Sequence, residues 1–185
     1  MEDKINRIFG EAVSVKQALL ASDIPAQVAR IAATLKERLA RGGTLYCCGN
    51  GGSACDAMHF TEELVSRFKR ERPGIRAMHF LDAATLTCWS NDYDFEGAFE
   101  RQVRTFCTEK DALCLISTSG NSANICRAAV AAREQNTYTF ALTGKDGGLL
   151  SRQVDDALIV PSQATERIQE AHILLIHTFC ELLET

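Results

Sequence analysis

The sequence predicts an α/β fold, a three-layer sandwich in which a five-stranded parallel sheet lies between helices, with leading N-terminal helices before it. Three observations predict this fold. The first 41 residues show only helical periodicity, and from residue 44 onward short apolar runs alternate with helical segments. Loops rich in glycine and serine stand where such runs end. Strands that alternate with helices form parallel sheets covered on both faces.

The leading segment predicts two helices. The first spans about Met1–Ser22 and places its apolar side chains on or near one face, namely Ile5, Ile8, Phe9, Val13, Val15 and Leu19. Pro25 suits the first turn of the second helix, which we expect to end near Arg41, before two glycines. These helices are expected to cover a sheet edge or to pair with another subunit.

The remainder predicts the sheet and its connecting helices. The five predicted strands are Thr44–Cys48, Ile75–Phe80, Ala112–Ile116, Tyr138–Leu142 and Ala157–Val160. The predicted helices are Ala54–Arg67, Ala123–Arg133 and Glu166–Leu183, with further helical segments flanking Asn91 and Asp92. No linker interrupts this pattern, so residues 1–185 are expected to form a single domain, with a helical segment at 1–41 and an α/β core at 42–185.

Composition excludes several classes of function. The net charge of −4 gives no basic excess, so no nucleic-acid partner is expected. No apolar run approaches the roughly 20 residues that span a bilayer, and Met1–Gly10 lacks the apolar stretch of a secretory signal. None of the eight cysteines forms a C-x-x-C pair, which favours reduced thiols in a cytosolic protein over a zinc-thiolate site. Cys47 and Cys48 are expected to point to opposite faces of the sheet.

The third predicted strand leads into a loop rich in hydroxyl groups. Its members are Ser117, Thr118, Ser119, Gly120, Asn121 and Ser122, and a helix follows it. Backbone amides at a helix N-terminus attract a dianion, and four hydroxyls can add hydrogen bonds. A polar turn in which Ser122 caps the helix is the alternative, but a cap needs one hydroxyl rather than four. The loop therefore predicts phosphate binding.

A similar loop follows the first predicted strand. Asn50, Gly51, Gly52 and Ser53 stand between strand and helix, and their glycines permit close approach of a ligand to the backbone. Asn50 can bond to sugar hydroxyls. A tight turn without a ligand remains the other interpretation. Loops at the carboxyl ends of parallel strands are where open α/β sheets bind ligands.

Two helices present polar residues toward this edge. His59 and Glu63 are four residues apart and share one face of their helix, a spacing that is also common for surface pairs. On the last helix, Gln169 and His177 fall within an arc of roughly 80°. His172 lies outside that arc and is expected to pack or cap elsewhere, and His79 is expected to be a core histidine. Two imidazoles and a carboxylate are a common zinc set, and a metal is one of the open interpretations of this pattern.

Five longer motifs carry a family resemblance. These motifs are Cys48-Gly-Asn-Gly-Gly-Ser53, Asp56-Ala-Met-His-Phe60, Ser117-Thr-Ser-Gly-Asn-Ser-Ala-Asn124, Thr143-Gly-Lys-Asp-Gly-Gly148 and Arg167-Ile-Gln-Glu170. In them the chain resembles the phosphoheptose isomerases, which are sugar isomerase (SIS) domain enzymes of flavodoxin-like fold. The resemblance covers essentially the whole chain. The chain departs from the pattern at Ala54, where some members carry His, and at Glu166, where some carry Asp.

The resemblance implies a function and a set of site residues. It implies conversion of D-sedoheptulose 7-phosphate to D-glycero-D-manno-heptose 7-phosphate, the first step toward ADP-heptose and the lipopolysaccharide core, in a cytoplasmic homotetramer. It implies one zinc per subunit, held by His59, Glu63, Gln169 and His177. It implies substrate contacts from Asn50, Gly51, Gly52, Ser53, Glu63, Asn91, Asp92, Ser117, Thr118, Ser119, Ser122 and Gln169.

Ketose-to-aldose isomerisation needs a base and an acid to move a proton through an enediol. Glu63 is the candidate base and His177 the candidate acid, although a carboxylate bound to zinc is a weaker base. The alternative function is of another class, because a non-catalytic SIS relative binds the bacterial replication initiator. Such a relative is not expected to keep Glu63 and His177 together, so their presence favours the enzyme.

Overall fold

The sheet of this computed structural model, which describes residues 1–184, consists of five parallel strands in the order β2-β1-β3-β4-β5. This arrangement confirms the predicted five-stranded parallel sheet, and the strand order is that of flavodoxin-like folds. The strands are β1 (Leu45–Gly49), β2 (Ala77–His79), β3 (Ala112–Ser117), β4 (Tyr138–Gly144) and β5 (Asp156–Val160).

Seven α-helices surround the sheet in the described part of the chain. They are α1 (Glu2–Leu20), α2 (Ile24–Ala40), α3 (Gly52–Val65), α4 (Ala83–Asp92), α5 (Ala98–Phe106), α6 (Ala123–Glu134) and α7 (Thr165–Leu183). Pro25 lies in the first turn of α2, as predicted. Within residues 1–184, no helix combines the length and apolarity required to cross a bilayer.

Two apolar cores separate the three layers. On one face, α2, α3 and α7 pack against the sheet, and on the other α5 and α6 do so. Cys47 belongs to the first core and Cys48 to the second, which confirms that these neighbours point to opposite faces. Five of the eight cysteines are buried, whereas Cys55 and Cys88 are exposed.

A cluster of phenylalanine rings fixes α3 and α7 against the sheet. Phe60 of α3 stacks on Phe179 of α7 with ring centroids 6.1 Å apart, and Phe179 lies 5.6 Å from Phe140 of β4. All three side chains are fully buried, and burial of each stabilises the fold by about 1.5–3 kcal/mol. The cluster therefore sets the spacing of the two helices that carry the predicted metal ligands.

Several element boundaries differ from the sequence predictions. Helix α3 begins at Gly52 rather than at Ala54, because Gly51 adopts a φ of 56° and turns the chain directly into the helix. It ends at Val65 rather than at Arg67. Strand β2 is three residues long because it lies at the sheet edge and pairs only with β1.

Two histidines outside the predicted site have different environments. His172 is fully buried, and its Nε2 donates to the carbonyl oxygen of Thr143 at 3.1 Å, which confirms that it packs away from the other site residues. His79 is only half-buried, so the expectation of a core histidine is wrong. It lies on the edge strand β2, and its Nδ1 accepts the amide of Leu81 at 3.3 Å.

Burial of His172 predicts a pH dependence of stability. Burial lowers the pKa of its imidazole from an ordinary value near 6.5 to about 4. The unfolded chain therefore binds a proton as the pH falls through about 6.5, whereas the folded chain resists until about pH 4. We expect His172 to cost up to about 3 kcal/mol of unfolding free energy across that window as the pH is lowered. Urea unfolding of wild type and His172→Gln at several pH values and one protein concentration measures this cost. If the unfolding free energy depends on pH in the same way for both proteins, the prediction is wrong.

Candidate active site

The parallel pairing of β1 with β3 brings the glycine-rich loop after β1 and the hydroxyl-rich loop after β3 side by side. Gly49 at the end of β1 is in register with Ile116 near the end of β3. Asn50 and Asn124, one from each side of this junction, form a reciprocal pair in which each amide nitrogen donates to the other's oxygen, at 2.8 and 2.9 Å. Asn124 is buried, and its two bonds to Asn50 join the loops on their buried side.

The hydroxyl-rich loop turns at Gly120, which has a φ of 65°. A side chain at Gly120 would collide with the carbonyl oxygen of Gly147, so the loop after β4 closes directly against it. Ser117 and Ser122 lie within hydrogen-bond distance, with 3.2 Å between their Oγ atoms. Ser122 precedes α6, yet its side chain accepts no bond from the amides of the first turn. A capping role for Ser122 is therefore not what holds this loop.

His59, Glu63 and His177 form one compact cluster between α3 and α7. The Nε2 atom of His59 lies 3.2 Å from Oε1 of Glu63 and 3.3 Å from Nε2 of His177. The two imidazoles meet edge to face, with centroids 5.1 Å apart and an interplanar angle of 62°. The donor atoms of the three side chains all lie within 4.8 Å of one another, which allows them to hold a metal ion.

Gln169 lies eight residues, or slightly more than two turns, before His177 on α7. Its side chain packs so closely on Gly52 that even a methyl group at that glycine would collide with the amide nitrogen. Gln169 therefore stands at the start of α3, against the first loop. The structure thus brings three of the four predicted ligands together and places the fourth beside the first loop.

Asn91 and Asp92 lie on the exposed last turn of α4. The amide of Asn91 donates to Oδ1 of Asp92 at 2.9 Å, and the thiol of Cys88 is 3.8 Å from Oδ2 of Asp92. Within residues 1–184, these contacts do not connect Asn91 or Asp92 to the other predicted site residues.

Asp56 is a half-buried residue that was not among the predicted site residues. It lies one turn before His59 on α3, and its Oδ2 atom is buried without a hydrogen-bond partner among the described residues. Burial raises its pKa to about 6, although the nearby His59 acts to lower it. The Asp56 carboxyl therefore gains and loses its proton near pH 6, about two pH units above an ordinary aspartate.

Three other residues support the site without having been predicted. Asn124 could have been found as a polar side chain on the apolar face of an alanine-rich helix. Phe68 stacks on the His177 imidazole with centroids 5.4 Å apart, and Arg72 donates to the backbone oxygen of Glu63 at 2.9 Å. Phe68 and Arg72 follow α3 in an irregular segment, where periodicity carries no signal.

Comparison with known proteins identifies the family. A family model described as SIS domain matches residues 9–144. The phosphoheptose isomerase of Laribacter hongkongensis is 43% identical, with 98% of this chain and 94% of that protein covered. Phosphoheptose isomerase 1 of Campylobacter jejuni is also 43% identical, with coverages of 97% and 98%.

A solved structure gives the same result. That of the phosphoheptose isomerase GmhA from Neisseria gonorrhoeae superposes with a TM-score of 0.92 at 37% identity, over 99% of this chain and 98% of that one. The full-length identity and the shared fold agree with each other. The chain therefore belongs to the SIS domain family and, within it, to the phosphoheptose isomerases, which are sugar-phosphate isomerases.

Proposed function

We propose that this enzyme converts D-sedoheptulose 7-phosphate to D-glycero-D-manno-heptose 7-phosphate, the first step toward ADP-heptose and the lipopolysaccharide core. The observation that carries the proposal is the His59–Glu63–His177 cluster, which lies between α7 and α3, the helix that begins at the first loop. An acid, a base and a metal-type donor set thus lie beside two loops suited to a sugar phosphate. The names of its relatives support the seven-carbon sugar.

The phosphate is assigned to the hydroxyl-rich loop. Its hydroxyls belong to Ser117, Thr118, Ser119 and Ser122, and α6 begins directly after it. The amides of Ile125 and Cys126 donate to the backbone oxygen of Ser122, so we assign the anion to the preceding amides of Ala123 and Asn124 at the start of the helix. The remaining substrate contacts that we propose are Asn50, Gly51, Gly52, Ser53, Glu63, Asn91, Asp92 and Gln169.

The cluster fits a zinc ion. Zinc takes nitrogen and oxygen donors at about 2.0–2.1 Å in tetrahedral sites, which places neighbouring donor atoms about 3.3 Å apart. The two shortest separations in the cluster are 3.2 and 3.3 Å. We assign one zinc per subunit to His59, Glu63 and His177, with Gln169 as the fourth ligand. When bound, the ion would polarise the substrate oxygens and stabilise the negative charge that develops on them.

The protein's own residues move the protons. Glu63 removes a proton from C1 of the ketose and returns it to C2, and His177 donates a proton to the carbonyl oxygen on C2 and takes up the hydroxyl proton from the oxygen on C1. The carboxylate of Glu63 has a second oxygen besides the Oε1 atom that faces His59, and that oxygen can serve as the base. The side chains of His59 and Glu63 are 41% and 18% exposed, so a substrate can reach them.

The assembly that we propose is a cytoplasmic homotetramer whose subunits are single domains. Helix α1 exposes Ile5, Phe9 and Val13, which supports a subunit interface on that helix. Helices α1 and α2 also pack on α7, which supports one domain for residues 1–185.

A direct assay tests the substrate and the metal separately. Incubation with D-sedoheptulose 7-phosphate should yield heptose 7-phosphate, and exhaustive chelation should abolish the reaction until zinc is restored, because the ion stabilises the developing charge. Product can be followed by NMR spectroscopy. Absence of product under every metal condition contradicts the assigned substrate and leaves the initiator-binding alternative. Product that survives chelation contradicts the metal assignment alone.

Substitution of the proposed acid and base should abolish turnover. We expect Glu63→Gln and His177→Gln each to lower kcat by at least about 100-fold, since each removes a proton-transfer group. Glu62→Gln is the matched control, because Glu62 is the exposed neighbour of Glu63 on α3. Zinc content is measured on every variant. Near-normal turnover by Glu63→Gln, together with an inactive His177→Gln, would show that the base is another residue.

Removal of one loop hydroxyl should weaken substrate binding. Thr118→Val keeps the shape of the half-buried side chain but removes its hydroxyl. We expect KM to rise about tenfold with a smaller change in kcat, because the phosphate is bound equally in the ground and transition states. Thr105→Val is the control, since the Thr105 hydroxyl donates within α5, to the backbone oxygen of Arg101. An unchanged KM for Thr118→Val removes this side chain from the phosphate site.

A further inference from the structure

The segment between α3 and β2, residues 66–76, is held down by a residue that follows α7. We call residues 66–72 of this segment the strap. The carboxylate of Glu184 accepts the backbone amides of Phe68, Lys69 and Arg70 at 3.1–3.3 Å. The Glu184 side chain is only 1% exposed, because the strap covers it. A single carboxylate thus fixes three consecutive residues of the strap.

Arg72 connects this carboxylate to the end of α3. Its Nε atom lies 3.4 Å from Oε1 of Glu184, and its guanidinium donates to the backbone oxygens of Glu63 and Leu64 at 2.9 and 2.8 Å. Those oxygens belong to the last turn of α3, where carbonyl groups lack partners within the helix. A cation at this end is also favoured by the helix dipole. Arg72 therefore caps the helix beside Glu63.

Phe68 is the strap residue that reaches the site. Its ring stacks on the imidazole of His177 with an interplanar angle of 28°. His177 and Glu184 are seven residues apart, which places them about 20° from alignment on the same side of α7. The bonds from Glu184 therefore fold the strap back along α7 and over His177.

We propose that Glu184, Arg72 and Phe68 are positioning residues of the isomerisation, because together they fix the orientation of the His177 imidazole and the end of the helix that carries Glu63. This inference rests on the acid and base roles proposed above. The His177 ring has Phe68 on one face and His59 at its edge, which restricts its rotation. Acid–base catalysis requires such groups to be held within about 0.5 Å of the productive geometry.

The charge on Glu184 is needed for this role. Burial acts to raise the pKa of its carboxyl, but the backbone amides and the Arg72 charge lower it below its ordinary value. The partners of this carboxylate, namely the three backbone amides and the Arg72 guanidinium, are all hydrogen-bond donors. A glutamine side chain would place a further N–H donor against them. Glu184→Gln should therefore release the strap with almost no change in side-chain size.

The test compares two carboxylates that contact the same segment. Glu181 pairs with Lys69 of the strap at 2.6 Å, but its side chain is 62% exposed. We expect Glu184→Gln to lower kcat about tenfold with less than about a twofold change in KM, because a group that is misplaced slows the chemical step more than it weakens binding. Glu181→Gln should retain wild-type kinetics. Normal kcat in Glu184→Gln overturns the proposal.

A double-mutant cycle tests whether Glu184 acts on His177 through Phe68. Phe68→Leu should lower kcat to a similar extent, and Phe68→Tyr, which keeps the ring, should restore it. If Glu184 acts through Phe68, adding Glu184→Gln to Phe68→Leu should cause little further loss. Fully multiplicative effects, or a Tyr variant as slow as the Leu variant, contradict this path. Where Glu184→Gln fails to fold, the two Phe68 variants decide the matter, and a kcat within twofold of wild type in Phe68→Leu overturns the proposal.

A spectroscopic measurement separates this proposal from the proposed function. The protein has four histidines, so selective isotope labelling gives four imidazole signals, and the His177→Gln variant assigns one of them. The ring current of Phe68 should displace the His177 signal, and Phe68→Leu and Glu184→Gln should both remove that displacement. This readout needs no turnover of sedoheptulose 7-phosphate, so it stands if that substrate is wrong. An unchanged signal in Glu184→Gln shows that Glu184 does not position Phe68.

Discussion

The pairing of β1 with β3 is the constraint on which the rest of the site depends. Because the two strands are parallel and adjacent, both chains leave the sheet at the same edge, and the two polar loops meet there. The Asn50–Asn124 pair joins them directly. Helix α3 begins at Gly52, within the first loop itself. The position of the loop therefore fixes the direction in which the helix and its polar face extend.

The second half of the site depends on how α7 meets α3. Phe60 and Phe179 stack within the core, and this contact brings His59 of one helix to His177 of the other. Apolar burial thus determines the separation of polar groups that do not themselves supply the driving force for packing. The Glu184 carboxylate and the Arg72 guanidinium act at the far end of the same two helices, where they tie the strap across both.

The sequence predicts the fold well because its periodicities are strong and its loops are short. The parallel sheet, the opposite orientations of Cys47 and Cys48, and the shared face of His59 and Glu63 all follow from backbone geometry. Strand β2 is predicted too long, since edge pairing is a tertiary property, and the half-buried state of His79 follows from the same edge position. Helical angles place Gln169 on the same side of α7 as His177, but they do not reveal that its amide rests on Gly52. The contacts of Phe68, Arg72 and Glu184 join segments more than 100 residues apart in sequence, and local patterns contain no information about them.

The Asn50–Asn124 pair has a consequence for how the first loop reads a ligand. A side-chain amide has two N–H groups and an oxygen with two lone pairs, and the reciprocal bonds use one N–H and one lone pair of Asn50. The backbone amide of Ile125 donates to Oδ1 of Asn124, which fixes the orientation of that amide and, through the reciprocal bonds, the orientation of the Asn50 amide. One donor and one acceptor therefore remain, at opposite edges of the Asn50 amide. An alcohol both donates and accepts a hydrogen bond, so this half-used amide is complementary to a polyhydroxylated chain and discriminates against a ligand that offers only acceptors.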